Sequence, residues 1–175
     1  LALSTEGIYG IPLDVSASTV FLFVLLGAML HKVGAGQFFN DLALSLLGKF
    51  KGGPAKAAVV SSGFTGLFSG SSIANVVTTG TFTIPLMKKV GYPGKIAAAT
   101  EVAASTNGQL MPPIMGAAAF IIAEYLALPY IDVVKAAVIP AVVSYFALFY
   151  ITHLEASKLG MKGLPEEEIP KFKTV

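Results

Sequence analysis

Apolar residues in this chain gather into long stretches separated by bunches of charge, and those stretches set the architecture. The first, 15–30, has Phe21-Leu22-Phe23-Val24-Leu25-Leu26 at its centre and lies between Asp14 and His31-Lys32. A bilayer core takes about 20 apolar residues in helical form, so one crossing is predicted over 15–33. Residues 34–51 carry a different period. Phe38, Phe39, Leu42, Leu46 and Phe50 recur at three- and four-residue steps, with Gln37, Asn40, Asp41, Ser45 and Lys49 on the other side. That pattern predicts an amphipathic helix, too polar to cross lipid and suited to the headgroup layer or to packing on other helices. Gly52-Gly53-Pro54 ends it.

The stretch 57–87 has no charge at all. At about 30 residues it is long for one span and short for two spans joined by a turn, which need about 40. Its middle is polar: Ser69-Gly70-Ser71-Ser72-Ile73-Ala74-Asn75, then Thr78, Thr79, Gly80 and Thr81. Lysines flank both ends, Lys49, Lys51 and Lys56 before it and Lys88, Lys89 and Lys95 after it. Positive charge stays on the cytoplasmic side, so both ends are read as cytoplasmic. Residues 55–90 are therefore predicted to form a re-entrant helical hairpin whose Ser/Gly/Asn turn dips into the membrane.

Residues 94–128 are apolar enough for one crossing but are interrupted by Ser105-Thr106-Asn107-Gly108-Gln109 and by Pro112-Pro113. Consecutive prolines remove two amide donors and push the preceding residues out of helical geometry. A broken transmembrane helix is predicted, unwound at about 105–112. Glu124 and Asp132 mark its far end as external. A last crossing over 131–155, kinked at Pro140, returns to Glu155, Lys158 and Lys162 inside, and 156–175 reads as a solvated cytoplasmic linker. The chain opens without Met and without a basic n-region or small-residue cleavage site. A fragment of a longer, all-helical, polytopic membrane protein is expected.

Composition narrows the chemistry. The chain is 54% apolar and 13% charged, with mean hydropathy +0.74, whereas soluble domains carry about 25% charged residues. Net charge is only +2 and every basic residue is Lys, so nucleic acid is not an expected partner; the bidentate Arg reader is missing. The absence of Cys excludes disulfides, thiolate metal sites and cysteine nucleophiles. His31 and His153 have no metal spacing around them, and no HExxH or nucleophile–base pair supports an enzyme. No cofactor is expected.

Two interrupted membrane segments in succession point to a transporter site near the midplane. Unwound carbonyls and half-helix C-termini suit a small hard cation, and half-helix N-termini suit a carboxylate. Ser69, Ser71, Ser72, Asn75, Thr106, Asn107 and Gln109 supply neutral oxygen and amide groups right for Na+ and an anionic solute. No Asp or Glu lies within either polar cluster in sequence, which argues against a proton relay or a divalent-metal cage. Isolated hydroxyls such as Thr83 and Ser144 read as helix-packing groups. Glu101, one turn before the second break, either pairs with a lysine or faces a cavity. An ion channel is the alternative, because re-entrant hairpins also build selectivity filters; saturable uptake against unitary currents separates the two.

The run Phe68-Ser69-Gly70-Ser71-Ser72-Ile73-Ala74-Asn75-Val76-Val77-Thr78-Thr79-Gly80 with Ile84-Pro85-Leu86-Met87-Lys88 resembles the large membrane subunit of tripartite ATP-independent periplasmic (TRAP) transporters. So does the run from Glu101-Val102-Ala103-Ala104-Ser105-Thr106-Asn107-Gly108-Gln109-Leu110-Met111-Pro112-Pro113 to Phe120. The likeness is to the form with small and large subunits fused, served by TAXI-type binding proteins. It implies an elevator-type permease of two inverted repeats in the bacterial or archaeal cytoplasmic (inner) membrane, with this chain as the first repeat and 34–51 as its arm helix. It further implies uptake of organic acids driven by Na+, with a periplasmic substrate-binding protein, the remaining permease half and the small membrane subunit (fused or separate) as partners; another Na+-coupled elevator-type anion transporter is the alternative on the same likeness. By the same resemblance Ser69, Gly70, Ser71, Ser72, Asn75, Ser105, Thr106 and Gly108 hold Na+. Asn75, Asn107, Gln109, Pro112 and Pro113 lie at the substrate.

Overall fold

A computed structural model describes residues 9–172. The opening residues read for a signal peptide, and the last three of the tail, lie outside them. Every regular element among the described residues is helical. Helices α1 (Ile11–Val15) and α2 (Phe21–Lys32) are joined by a π-helical turn at Ser16–Val20, making a continuous rod, Ile11–Lys32, apolar and long enough to cross a membrane. Next come α3 (Ala35–Leu47), α4 (Gly53–Ser69), α5 (Ser72–Lys89) and α6 (Gly94–Asn107). A short 3-10 turn at Gly108–Leu110 and an irregular stretch lead to α7 (Ala117–Tyr125) and then to α8 (Tyr130–Lys158), the second helix of membrane-crossing length and hydropathy. Pro140 lies inside α8, which is continuous through it. Along α8, Ile139, Val142, Val143 and Phe146 are exposed, an apolar face fitted to lipid or to other helices rather than to water.

Helices α4 and α5 fold back on one another. Met87, near the end of α5, shares one buried cluster with Ala55 and Ala58, near the start of α4, and with Tyr92 and Ala97 that lead into α6. The turn is Gly70, whose φ of +59° is a left-handed conformation that costs a residue with a Cβ about 1 kcal/mol or more. A Cβ there would also run into the Met115 carbonyl. Met87 has no exposed surface, so Met87→Ala is expected to destabilise the protein by about 2–4 kcal/mol. A lowered thermal midpoint of the purified full-length permease is the readout.

The arm-like helix α3 turns differently from its apolar stripe. Gly36, Asn40 and Ala43 are its buried residues, while Phe38, Leu46 and Phe50 are exposed. The inward face is the one with small side chains because α3 lies tightly on α4 and α5: a Cβ on Gly36 would clash with the Thr78 methyl. Asn40, placed by its period on the polar side, is buried and accepts a hydrogen bond from the Ser61 hydroxyl of α4. At the other end of α4, Lys56 is buried and its Nζ lies 2.9 Å from His153 Nδ1 on α8.

The tail after α8 is not a free solvated linker. Met161, Leu164 and Ile169 are buried, the Leu164 amide donates to the Gly48 carbonyl at 2.9 Å, and Glu168 pairs with Lys89 at 2.8 Å. Three apolar positions in an otherwise polar segment are enough to strap it across the ends of α3 and α5.

Candidate functional site

The hairpin turn and the helix break meet. Gly66 on α4 lies directly against Gly108, where a Cβ on Gly66 would come within 2.7 Å of the Gly108 Cα. Glycine is required there because backbone packs on backbone. On the other flank, a Cβ on Gly108 would lie 2.8 Å from Asn75 Nδ2. Asn75 is 1% exposed, and its amide donates to the Ser62 carbonyl at 3.0 Å. It therefore ties α5 to α4 immediately beside the break.

Around the turn, Ser71 caps α5, its hydroxyl accepting from the Ala74 amide at 3.3 Å. Gln109 Nε2 donates to the Ser72 hydroxyl at 2.7 Å, a direct bond between the segment after α6 and the hairpin turn. A cavity of about 310 Å3 opens here, lined by Ser69, Gly70, Ser71, Ser72, Gln109 and Ala117 among others. The first residues of α5 and α7 both border it, so two helix N-termini lie at one space.

The break itself begins later than the sequence spacing predicts. Ser105, Thr106 and Asn107 stay helical, and the chain leaves helical geometry only after Leu110. The prolines set that point, since a proline disfavours helix in the residue before it; Met111, before Pro112, is extended. Thr106 is exposed, its hydroxyl bonded back to the Val102 carbonyl at 2.8 Å, and it joins no other predicted site residue through its side chain. Pro112 and Pro113 lie in the irregular stretch, where the Pro113 and Ile114 carbonyls accept from the Tyr130 hydroxyl of α8 at 2.9 and 2.6 Å.

A buried polar core that the two sequence clusters do not contain lies behind the turn. Glu101 on α6 is fully buried and accepts hydrogen bonds from Thr79 and Thr83 of α5 and, at 3.4 Å, from Ser105. Ser105 in turn sits 3.4 Å from the Ser62 hydroxyl. An acid thus lies beside the clusters in space, although none lies within them in sequence. Thr83, read as a packing group, is part of the same core. The missed signal is a four-residue step on two helices, Asn75-Thr79-Thr83 and Glu101-Ser105, each of which puts its members on one helical face. Among the described residues no group of three His, Cys, Asp or Glu could hold a metal ion; the groups gathered here are hydroxyls, amides, carbonyls and one carboxylate, oxygen donors of the hard kind.

Comparison with known proteins gives the same chemistry a context. The chain matches the family described as tripartite ATP-independent periplasmic transporter, DctM component, over residues 3–175. It is 30% identical over 153 residues to the C4-dicarboxylate TRAP transporter large permease protein DctM of Pseudomonas aeruginosa, covering 86% of this chain and 35% of that protein. It is 27% identical over 141 residues to the isethionate TRAP transporter permease protein DctMQ of Oleidesulfovibrio alaskensis, covering 81% and 22%. To the sialic acid TRAP transporter permease protein SiaT of Haemophilus influenzae it is 27% identical over 146 residues, covering 82% and 23%. No solved structure matches. The chain thus spans about a third or less of the length of these relatives. Matched along nearly all of its sequence, the chain belongs to the DctM family of TRAP transporter large permease components.

Proposed function

We propose that this chain forms the first-repeat transport half of a Na+-coupled, binding-protein-dependent permease for organic acids. Membership of a multi-pass transport-permease family sets the class and excludes an enzyme. The single observation that carries the finer reading is the seating of the hairpin turn on the helix break, with Gly66 on Gly108, Asn75 between α4 and α5, and Gln109 on Ser72.

Na+ would be held by oxygens of the Ser69–Asn75 turn (Ser69, Gly70, Ser71, Ser72 and Asn75) and of the segment Ser105, Thr106 and Gly108. For Ser105 the side chain is already aimed inward; Thr106 could offer only its backbone carbonyl, because its hydroxyl is turned outward. The acid group of the solute would sit in the neighbouring cavity, met by the free amides of α5 and α7 and by Gln109, with Asn75, Asn107, Pro112 and Pro113 around it. The names of the relatives fit this chemistry: C4-dicarboxylate, isethionate and sialic acid all carry a carboxylate or sulfonate. The partners would be a periplasmic substrate-binding protein, the rest of the permease and a small membrane subunit, fused to it in the TAXI-associated manner, all in the cytoplasmic membrane. A fused permease exists among the relatives, the DctMQ protein.

The arrangement requires α4 and α5 to enter and leave the bilayer on one side. Cysteines placed at Lys51 and Lys88, both exposed, are expected to react with a membrane-impermeant maleimide only from the cytoplasmic face. Reaction from opposite faces would make the pair a full crossing and remove the turn from the membrane interior.

A further inference from the structure

The groove between α6 and α8 carries charge at one end and an apolar floor below it. The two helices run antiparallel: Tyr145 of α8 donates to the Ala104 carbonyl of α6 at 2.9 Å, while Ala156 shares a buried cluster with Tyr92 and Ala97. Lys95, in the first turn of α6, therefore stands level with Glu155, in the last turn of α8. Both line one cavity of about 530 Å3, whose floor descends over Ala99 and Ala103 on one side and Ile151 and Leu148 on the other. From Lys95 to Ala103 the helical rise is about 12 Å, most of one leaflet of a bilayer core about 30 Å thick.

Lys95 and Glu155 carry opposite charge across this cavity, yet among the described residues neither belongs to an ion pair. The backbone repeats the same signs. The start of α6 is the positive end of its helix dipole, and the end of α8 is the negative end of its own. Lys88 adds to the positive side, since a Cβ on Gly94 would lie 3.6 Å from its Nζ. Lys158, the other charge in the last turn of α8, is exposed and does not line the cavity. Burial, and after it the Glu155 carboxylate, push the Tyr92 hydroxyl up to about 12, so this neighbour brings no charge of its own. Two opposite, unpaired charges above an apolar slot match a lipid whose headgroup holds a phosphate and an ammonium together. The phosphate fits the Lys95 side and the ammonium fits Glu155. The small side chains of Ala99 and Ala103 leave the floor open for an acyl chain.

We propose that the groove between α6 and α8 binds an amine-headed zwitterionic phospholipid, of the phosphatidylethanolamine type, at the cytoplasmic face of the membrane. This needs the membrane topology read above and not the cation reading. Phosphatidylcholine shares the phosphate, but its quaternary ammonium has no N–H to give to Glu155. Phosphatidylglycerol shares the phosphate and lacks the cation.

The test is lipid binding to the purified, delipidated full-length permease, followed by native mass spectrometry during titration with each of these three lipids. The wild type is expected to half-saturate with phosphatidylethanolamine at about a tenfold lower concentration than with the other two, the worth of one charge-assisted hydrogen bond. Glu155→Gln should erase most of that preference. Lys95→Gln should weaken all three lipids about alike, because each carries the phosphate. Ala99→Trp, at an exposed position on the floor, should abolish saturable binding of all three. Equal wild-type affinities overturn the proposal, as does a preference that survives Glu155→Gln, or binding that ignores Lys95→Gln or Ala99→Trp. If the delipidated permease does not stay folded, nanodiscs of phosphatidylcholine with and without added phosphatidylethanolamine read the same point. A thermal midpoint raised by the added lipid in the wild type but not in Glu155→Gln supports the proposal; a midpoint unchanged by it, or raised equally in both proteins, overturns it. Labelling of cysteines at Lys51 and Lys88 from opposite faces would instead bring down the topology itself.

Discussion

Asn75→Ala in the full-length permease is expected to abolish Na+-driven uptake of the transported acid while membrane insertion continues unchanged. The side chain is buried at the one place where α4, α5 and the turn after α6 converge. Alanine removes its amide, leaving the Ser62 carbonyl without the Asn75 hydrogen bond at a cost of about 1–3 kcal/mol, and removes the amide nitrogen that lies against Gly108. Insertion depends instead on the apolar length of the spans Ile11–Lys32 and Tyr130–Lys158, which the substitution does not touch. Ser71→Ala should act on the same function more gently. Its hydroxyl caps α5 and lies at the cavity mouth, so the loss combines about 1 kcal/mol of helix capping with one candidate ion ligand. Uptake that ignores both substitutions, with Na+ still driving it, would place the ion elsewhere.

Much of the fold was legible because hydrophobic length and charge flanks are one-dimensional signals. The two membrane-length helices and the polar turn at Ser69–Ser72 follow from runs that any window along the chain detects. What was not legible depends on which helix faces which. The period of α3 separates an apolar stripe from a polar one, but it cannot say that small residues will decide the contact. Gly36 lets α3 approach Thr78 of α5 closely, so Asn40 goes inside and Phe38 goes out. In an apolar surround such an inversion would carry no penalty, because an exposed Phe would not be exposed to water. Glu101 is the same case in sharper form. Its sequence neighbours are Thr100 and Val102; Ser105 lies one turn further along α6, and only the packing of α5 on α6 brings in the Thr79 and Thr83 hydroxyls. The tail illustrates the limit of composition, since Lys, Gly, Pro and Glu dominate it while Met161, Leu164 and Ile169 fix its path.

The second large effect is expected at Gly66. A valine there would place its Cβ 2.7 Å from the Gly108 Cα and 3.0 Å from the Gly108 carbonyl oxygen. Both are backbone atoms, so no side-chain rotation relieves the overlap, and α4 must part from the turn after α6. Overpacking of this kind costs about 1–3 kcal/mol, enough to lower the thermal midpoint of the purified permease. The functional loss should exceed the stability loss, because moving Gly108 off Gly66 also moves it off Asn75, which it touches on its other side. Gly63→Ala, one turn earlier on α4, is the matched comparison: its Cβ would meet only the Tyr145 ring at 3.3 Å and the Met111 methyl at 3.5 Å, both ends of side chains that can yield. Uptake should therefore survive Gly63→Ala and fail in Gly66→Val. If the two variants transport equally well, the hairpin tolerates standing away from the break, and close apposition of α4 with Gly108 is not what forms the binding site.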